Sequence, residues 1–487
     1  MSEPIGEWRN WAGDERCAPA AIERPASIAE IAAALERAAA HGQRVRVAGA
    51  GHSFSDIALT DGRLLRLDRM SRLLDVDRSS GLVRVQGGIT IHALNARLAA
   101  IGLALENLGD IDVQSIAGAI STATHGTGAR LRNIPSQVAA LTLVLADGST
   151  LHCSDQDDPE LLRAARVGLG ALGVVAEVTL RCVPAFRLRG LDAPAPLEQT
   201  LERFEELALA NDHFEFFVFP HARTALTRTN NRAEEPARPR GRASAYANDV
   251  LLTNHAFALF CRLGRRMPAQ IPRINRLVTR LAGASRRVDR SDRIFASPRL
   301  VRFTEMEYAL PRERTVEAVR RVLELVESGS QDGGSGGRGV GKGRSGTTAG
   351  RFGGGSRAPF AVPFPIEVRT VAADDALLST AAGRDSGFVA VHMFEGMAWE
   401  PYFRAVEAVM DELGGRPHWG KRHFQTAATL RERYPEWERF QAVRRRLDPE
   451  GRFANDYTDR VLGASHPAAP ASAGSIAAGP DHAPAAG

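Results

Sequence analysis

Apolar and polar positions change period early in the chain, and the change marks the first two elements. Ile28, Ile31, Leu35 and Ala38 recur at the spacing of one helical face. Ser27 precedes them as an N-cap with Glu30 three residues on, and Gly42 follows as a stop, which predicts a helix between those bounds. Arg44–Val47 then alternates with period two and runs straight into a loop, Val47–Asp56, of sequence VAGAGHSFSD. Leu64–Met70 and Gly81–Gly88 read as further strands. Leu141–Cys153 reads as a hairpin about Asp147 and Gly148, and Gly173–Pro184 as another alternating strand.

Beyond Pro184 the pattern mixes helices with strands such as Phe364–Val371 and Phe388–Phe394. In the first of these, Glu367 and Arg369 share one face while Ile366 and Val368 take the other. As residues alone, they make either a plain ion pair or a charged pair offered to a ligand. His392, within the second strand, is either a buried, satisfied histidine or part of the same polar cluster. Ser328–Arg357 holds 13 glycines and almost no apolar residues, so a flexible inserted loop spanning roughly 30 Å is expected. Residues 464–487, rich in Ala, Pro, Gly and Ser, read as a disordered tail. The chain thus divides into residues 1–184, residues 185–463 with the insertion at 328–357, and the tail.

One helical stripe does not fit that division neatly. Ile271, Ile274, Leu277, Val278 and Leu281 line one face, with Arg273, Arg276 and Arg280 largely off it. Such a helix packs on its own domain or lies on an anionic membrane surface. No apolar run approaches the ~18 residues needed to cross a bilayer.

Composition narrows the function classes. With 487 residues and 44% hydrophobic content the chain can build two or three cores. The net charge of +5 suggests nucleic acid, but aromatics are only 6% and do not interleave with the basic clusters, so a nucleic-acid partner is not expected. Only Lys342 and Lys421 among the 62 basic residues are lysine, which makes each of them stand out against arginine. Four scattered cysteines offer no metal-binding spacing. The first residues lack the basic end and apolar run of a signal peptide, so a cytoplasmic location is expected.

The Val47–Asp56 loop lacks the third glycine of a Rossmann fingerprint, since Phe54 stands there, and it leads toward a strand instead of a helix. What remains is a glycine turn whose N–H groups could form an anion nest, or a plain structural turn. A second small-residue run, Gln114–Gly128, could also approach a ligand closely, and two such loops suggest a long one.

Taken in order, GAGHSFSD, NLGDIDVQSIAGAISTATHGTG, EMEYALP, FPIEVR, PHWGKRHF and FANDY resemble the aldonolactone oxidoreductases of the vanillyl-alcohol oxidase flavoprotein family, with alditol oxidases nearby. The resemblance covers roughly residues 8–463 and omits the insertion and the tail. It implies an α+β, two-domain vanillyl-alcohol oxidase-type (PCMH-type) FAD-binding fold with a C-terminal substrate (cap) domain. By the same resemblance Ala48, Gly49, Ala50, Gly51, His52 and Ser53 bind the FAD pyrophosphate, and His52 is the covalent flavin tether. Ser115, Gly118, Ala119, Ser121, Thr122, His125 and Gly126 line the FAD, and Val174 or Val175 adds backbone contacts. Asp110 stands near the substrate end of the flavin, where several lactone and alditol oxidases carry serine.

The resemblance places Glu367 and Arg369 at the substrate face of the flavin. The implied reaction passes a hydride from an aldono-1,4-lactone, D-arabinono-, L-gulono- or L-galactono-, to flavin N5 and yields an ascorbate-type product. Arg369 and Lys421 would then stabilise the developing oxyanion, Glu367 would hold a hydroxyl, and His392 is a candidate proton acceptor. Oxygen, a quinone or a cytochrome would reoxidise the flavin.

Overall fold

The computed structural model describes residues 6–237, 255–297, 299–328 and 360–465. Most of the expected glycine-rich loop and of the tail lies outside them.

The first helix forms as its sequence requires, over Ile28–Ala40. Ser27 Oγ accepts from the Glu30 N–H at 3.2 Å, and the Glu30 carboxylate accepts from the Ala26 N–H at 3.0 Å. Its buried face, Ile31, Ala34, Leu35 and Ala38, packs with Val144, Val174 and Ala176. Strand Val45–Ala48 pairs in parallel with Arg63–Arg66, which pairs in parallel with Ala21–Glu23. Between the first two lies only a three-residue 3-10 turn, Asp56–Ala58, so no helix follows the glycine loop.

Beside this small sheet stands a five-stranded antiparallel one, ordered Thr150–Ser154, Val138–Val144, Val174–Arg181, Leu82–Gln86 and Leu73–Asp77. The hairpin turns where Asp147 and Gly148 indicate, with Val144 opposite Thr150 and Gly148 at φ +82°. Leu73–Asp77 is an edge strand that the alternation did not reveal.

The remaining residues build an eight-stranded antiparallel sheet. Its order is Ser285–Arg290, Arg187–Pro196, Thr224–Arg232, His213–Val218, Ile366–Val371, Ser386–Phe394, Phe303–Pro311, Arg416–Pro417. Alternation gives the sheet two unlike faces. Phe216, Val368, Tyr308, Val389 and Val391 point to helices Thr315–Ser328 and Glu400–Glu412 and make the second core.

The chain end returns to its beginning. Trp437, Phe440, Tyr457 and Leu462 enter the same core as Leu94 and Ile116, and Phe453 joins the core under the first helix. Buried Arg46 donates to the carbonyls of Phe453 at 2.7 Å, Leu169 at 2.9 Å and Ile57 at 2.9 Å, stitching the termini together. Burial pushes its guanidinium down to about 10.

The basic stripe divides in two. Helix Ile271–Leu281 buries Ile271 and Ile274, while Leu277 and Leu281 stay 47% and 67% exposed. Among the described residues no helix is long and apolar enough to cross a membrane.

Candidate active site

Two cavities meet between the sheets. The smaller, about 250 Å³, runs along Ala48, Gly49, Ala50, Gly51, His52 and Ser53 on one side and Ser115, Gly118, Ser121, Thr122 and Val175 on the other. The larger, about 730 Å³, lies against the charged face of the eight-stranded sheet. His52, Ser53, Gln114 and Thr122 belong to both, so the two form one groove with His52 at the junction.

Glycine makes the narrow part possible. A Cβ on Gly49 would sit 2.4 Å from Ser115 Oγ, and one on Gly87 would sit 2.3 Å from the Val175 carbonyl oxygen. Gly51 has φ +73°, a backbone that side chains disfavour. Ser115 caps the short helix Ile116–Ser121, its Oγ accepting from the Gly118 N–H at 3.3 Å. The result is a long cradle of backbone and small side chains, which fits an extended dinucleotide.

Two of the expected cofactor residues, Ala119 and Gly126, are not on this groove, and of the alternatives Val174 and Val175 only Val175 lines it. Ala119 and Val174 are fully buried in the cores, because the helix turn and the strand alternation that expose Gly118 and Val175 turn their neighbours away. Gly126 is pressed against the Leu108 carbonyl oxygen, 2.2 Å from where a Cβ would stand. His125 and Asp110 line the larger cavity.

Charges converge there because six adjacent strands present one face. Arg228 Nε donates to Asp192 at 2.6 Å and Arg228 Nη1 to Glu215 at 3.1 Å. Arg369 Nε donates to Glu215 at 2.8 Å, and Arg369 Nη2 pairs with Asp110 at 2.8 Å and with Glu367. Asp110 also pairs with Arg299. One row of acid, base, acid and base thus crosses four strands, each charge answered by its neighbour. Glu305 and Glu307 project from strand Phe303–Pro311, which pairs with the strand of His392, whose Nε2 is 3.6 Å from Glu305 and 3.8 Å from Glu367.

Lys421 arrives from a loop. His418 donates its backbone N–H to the Glu307 carbonyl at 2.9 Å, and Trp419, buried in the core that holds Leu94 and Ile116, fixes the turn by donating Nε1–H to the Leu378 carbonyl at 2.7 Å. The ammonium pairs with Glu305 and stands 5.0 Å from the centre of the Phe54 ring. His52 stacks on Trp11 at 5.3 Å.

Burial and neighbours set the protonation states. Glu367 is pushed up to about 8, first by burial and then by Asp110, Glu215 and Glu305, against the pull of Arg369. Burial opposes the Lys421 charge, but Glu305 and Glu307 outweigh it and raise its pKa. Burial lowers His392, so its imidazole is neutral; Nδ1–H donates to the Pro365 carbonyl at 3.2 Å, which leaves the Nε2 lone pair toward the carboxyl groups. His52 is lowered to about 4 by burial and then by Lys421. Burial also opposes the Asp110 carboxylate, yet Arg369 and Arg299 hold it well below its ordinary range.

His125, Glu307 and His418 bring three ligand-type atoms within 4.8 Å of one another. His125 Nδ1–H donates to the Gly126 carbonyl at 2.8 Å, and His418 Nδ1 accepts from the Gly420 N–H at 3.1 Å, so each ring is tied to its own loop.

The sequence reading left Glu215, Arg228, Arg299, Glu305, Glu307, His418 and Trp11 without roles. Glu305 and Glu307 had a signal: they are two apart in a strand, as Glu367 and Arg369 are.

Comparison with known proteins identifies the family. Residues 19–154 match an FAD binding domain and residues 178–461 match D-arabinono-1,4-lactone oxidase. A crystal structure of cholesterol oxidase from B. sterolicum superposes with TM-score 0.77 at 17% identity, covering 94% of this chain and 96% of that one. The fold is therefore of the vanillyl-alcohol oxidase type, and the protein is an FAD-dependent oxidoreductase. The L-gulono-1,4-lactone dehydrogenase of Mycobacterium tuberculosis is 50% identical over 94% of this chain and 99% of its own length. The L-gulonolactone oxidase of Bos taurus is 32% identical over 94% and 98%. The chain belongs to the D-arabinono-1,4-lactone oxidase family.

Proposed function

We propose that this protein oxidises an aldono-1,4-lactone, D-arabinono-, L-gulono- or L-galactono-1,4-lactone, to an ascorbate-type product. The observation that carries the reading is the convergence of Glu367, Arg369, His392 and Lys421 at the inner end of the dinucleotide groove. FAD bound in that groove supplies a two-electron acceptor at N5.

The chain's own residues do the rest. Arg369, held between Asp110, Glu215 and Glu367, presents a fixed guanidinium to the substrate hydroxyls. Lys421 supplies the second cation where the hydroxyl oxygen becomes negative. His392 Nε2, neutral and facing the cavity, accepts the hydroxyl proton. Glu367, protonated near neutral pH, donates a hydrogen bond instead of adding charge. Asp110 acts by orienting Arg369.

His52 is the covalent tether. Its imidazole is held neutral and nucleophilic at the junction of the two cavities. It would be the residue that holds FAD covalently, through the flavin 8α carbon, and the attachment would need loss of one methyl proton and removal of two electrons by the enzyme's electron acceptor.

Substrate profiling of the purified holoenzyme tests the reaction. Turnover of the three lactones with near silence on xylitol and sorbitol is expected. Preference for the alditols would replace the lactone reading with sugar-alcohol oxidation on the same site.

A further inference from the structure

The larger cavity has two chemically different ends. The inner end carries Glu305, Glu367, Arg369, His392 and Lys421. The outer end is walled mostly by Phe217, Phe219, Leu226, Phe257, Phe260 and Val278, with Asp192, Ser285 and Arg287 at its sheet edge. Arg228, which also reaches this end, is matched by Asp192 and Glu215. A polyhydroxylated lactone is satisfied at the inner end and gains nothing from phenyl and branched aliphatic walls. Those walls favour an apolar ligand, at about 25 cal/mol per Å² of apolar surface removed from water.

The outer end opens between helices Phe257–Arg266 and Ile271–Leu281. Leu281 both lines the cavity and is largely exposed. Of the nine exposed large apolar side chains among the described residues, five sit on or between these helices: Leu259, Leu263, Met267, Leu277 and Leu281. Exposed Arg262, Arg266, Arg273, Arg276 and Arg280 are interleaved with them.

The pair is firmly seated. Asn275 Nδ2 donates to the Pro220 carbonyl at 3.2 Å and to the Val362 carbonyl at 3.0 Å, and Gly264 lets Ile271 approach closely. Exposed leucines beside exposed arginines on a fixed helix pair match the acyl and headgroup layers of an anionic bilayer.

We propose that the apolar end of the cavity binds the electron acceptor, a quinone with a hydrocarbon tail, which enters from an anionic membrane on which the two helices rest. This deepens the lactone-oxidation reading and rests on it for the source of electrons. The quinone takes two electrons and one proton from the reduced flavin and one proton from solvent. It leaves as the quinol, and the flavin returns to its oxidised form. A protein acceptor would leave the apolar walls unused, and dioxygen needs no such wall.

The test uses the purified holoenzyme and decylubiquinone, a quinone with a short alkyl tail. Saturable quenching of tryptophan emission, to which Trp11 in the cavity contributes, reports binding without turnover. Binding is expected to weaken about tenfold in Val278→Glu and in Phe260→Ser, a change of about 1.4 kcal/mol. Two variants guard against a fold defect in either, which their melting curves would reveal. In parallel, the enzyme should sediment with vesicles of phosphatidylglycerol and phosphatidylcholine but not with phosphatidylcholine alone. The double change Leu259→Ser with Leu277→Ser should abolish that sedimentation.

Absence of quenching, or equal sedimentation with both vesicle types, overturns the proposal. So does reduction of a cytochrome at a rate indifferent to both Val278→Glu and added vesicles, accompanied by no quinone turnover. Lactone-dependent reduction of a soluble dye is measured separately. Its absence would sink the lactone reading, while quenching and sedimentation would still decide the quinone site.

Discussion

Phe54 donates its backbone N–H to the Gly420 carbonyl oxygen at 2.7 Å, so the loop that carries His52 and the loop that carries Lys421 form one hydrogen-bonded piece. Ser55 Oγ and Tyr457 Oη both donate to the Trp419 carbonyl, at 3.1 and 2.8 Å, and reinforce the joint. A cofactor loop and a substrate loop separated by more than 360 residues are thereby held in register. Positioning of this kind lets a single cation act on a reacting atom.

Lys421→Ala should therefore leave the cofactor in place and remove the cation. A loss in kcat on the order of a hundredfold to a thousandfold is expected, as for removal of one oxyanion donor. Lys421→Arg should restore only part of it, because a planar guanidinium does not reproduce a compact ammonium between Glu305 and the Phe54 ring. Steady-state kinetics on protein normalised to flavin absorbance measures both. Full turnover in Lys421→Ala would remove the residue from the mechanism.

His52→Ala should abolish any covalent flavin while leaving the groove able to bind FAD. In wild-type protein, acid precipitation should leave yellow flavin in the pellet; in the variant the colour should move to the supernatant. Because His52 is lowered to about 4, its ring stays neutral throughout the neutral range. The covalent fraction formed on reconstitution should therefore not change between mildly acidic and mildly alkaline buffer.

Gly88→Ala tests the packing under the groove. A Cβ there would lie 1.8 Å from the Leu67 carbonyl oxygen and 2.8 Å from that of Met70, both backbone atoms that cannot rotate away. A loss of about 3 kcal/mol is expected, the upper range for overpacking, with reduced flavin content. Thermal unfolding with and without added FAD separates the two effects.

Particular residues show what the sequence could reveal. Glu367 and Arg369 were legible as a same-face pair because strand alternation is local, and the first helix was legible from its cap and its stripe. Glu215, Arg228 and Asp192 were not, because their three strands meet the strand of Arg369 only through sheet register, across a gap of 154 residues between Glu215 and Arg369. The stripe ending in Leu277 and Leu281 left packing and surface readings both open, since periodicity predicts an apolar face but not how far a neighbour covers it. Ala119 and Val174 show the converse: a motif names a segment, but burial of its side chains is set by the helix turn and the strand alternation around them.

Glu367 also makes stability depend on pH. Its folded pKa, about 8, lies above the ordinary carboxyl value of 4.5, so between those values the native state binds more protons than the unfolded chain. The contribution is fully present below 4.5 and is lost as pH rises through 8. In that window the loss approaches about 1.4 kcal/mol per pH unit for one proton. Glu367→Gln, which stays neutral, should flatten the window in melting curves taken across it; an unchanged slope would place the dependence elsewhere.

Asp110→Asn tests the same electrostatics from the other side. Asp110 raises Glu367 by its negative charge while holding Arg369 and Arg299. Replacing the carboxylate with an amide leaves two guanidinium groups less compensated, which favours ionised Glu367. The alkaline limb of kcat/KM attributed to Glu367 should move down from about 8. KM for the lactone should rise as Arg369 loses one of the three acidic side chains that hold it. In the double variant with Glu367→Gln the limb should be absent whatever stands at position 110. A limb that survives in the double variant would assign the titration to another group and leave Asp110 with only its hold on the guanidinium of Arg369.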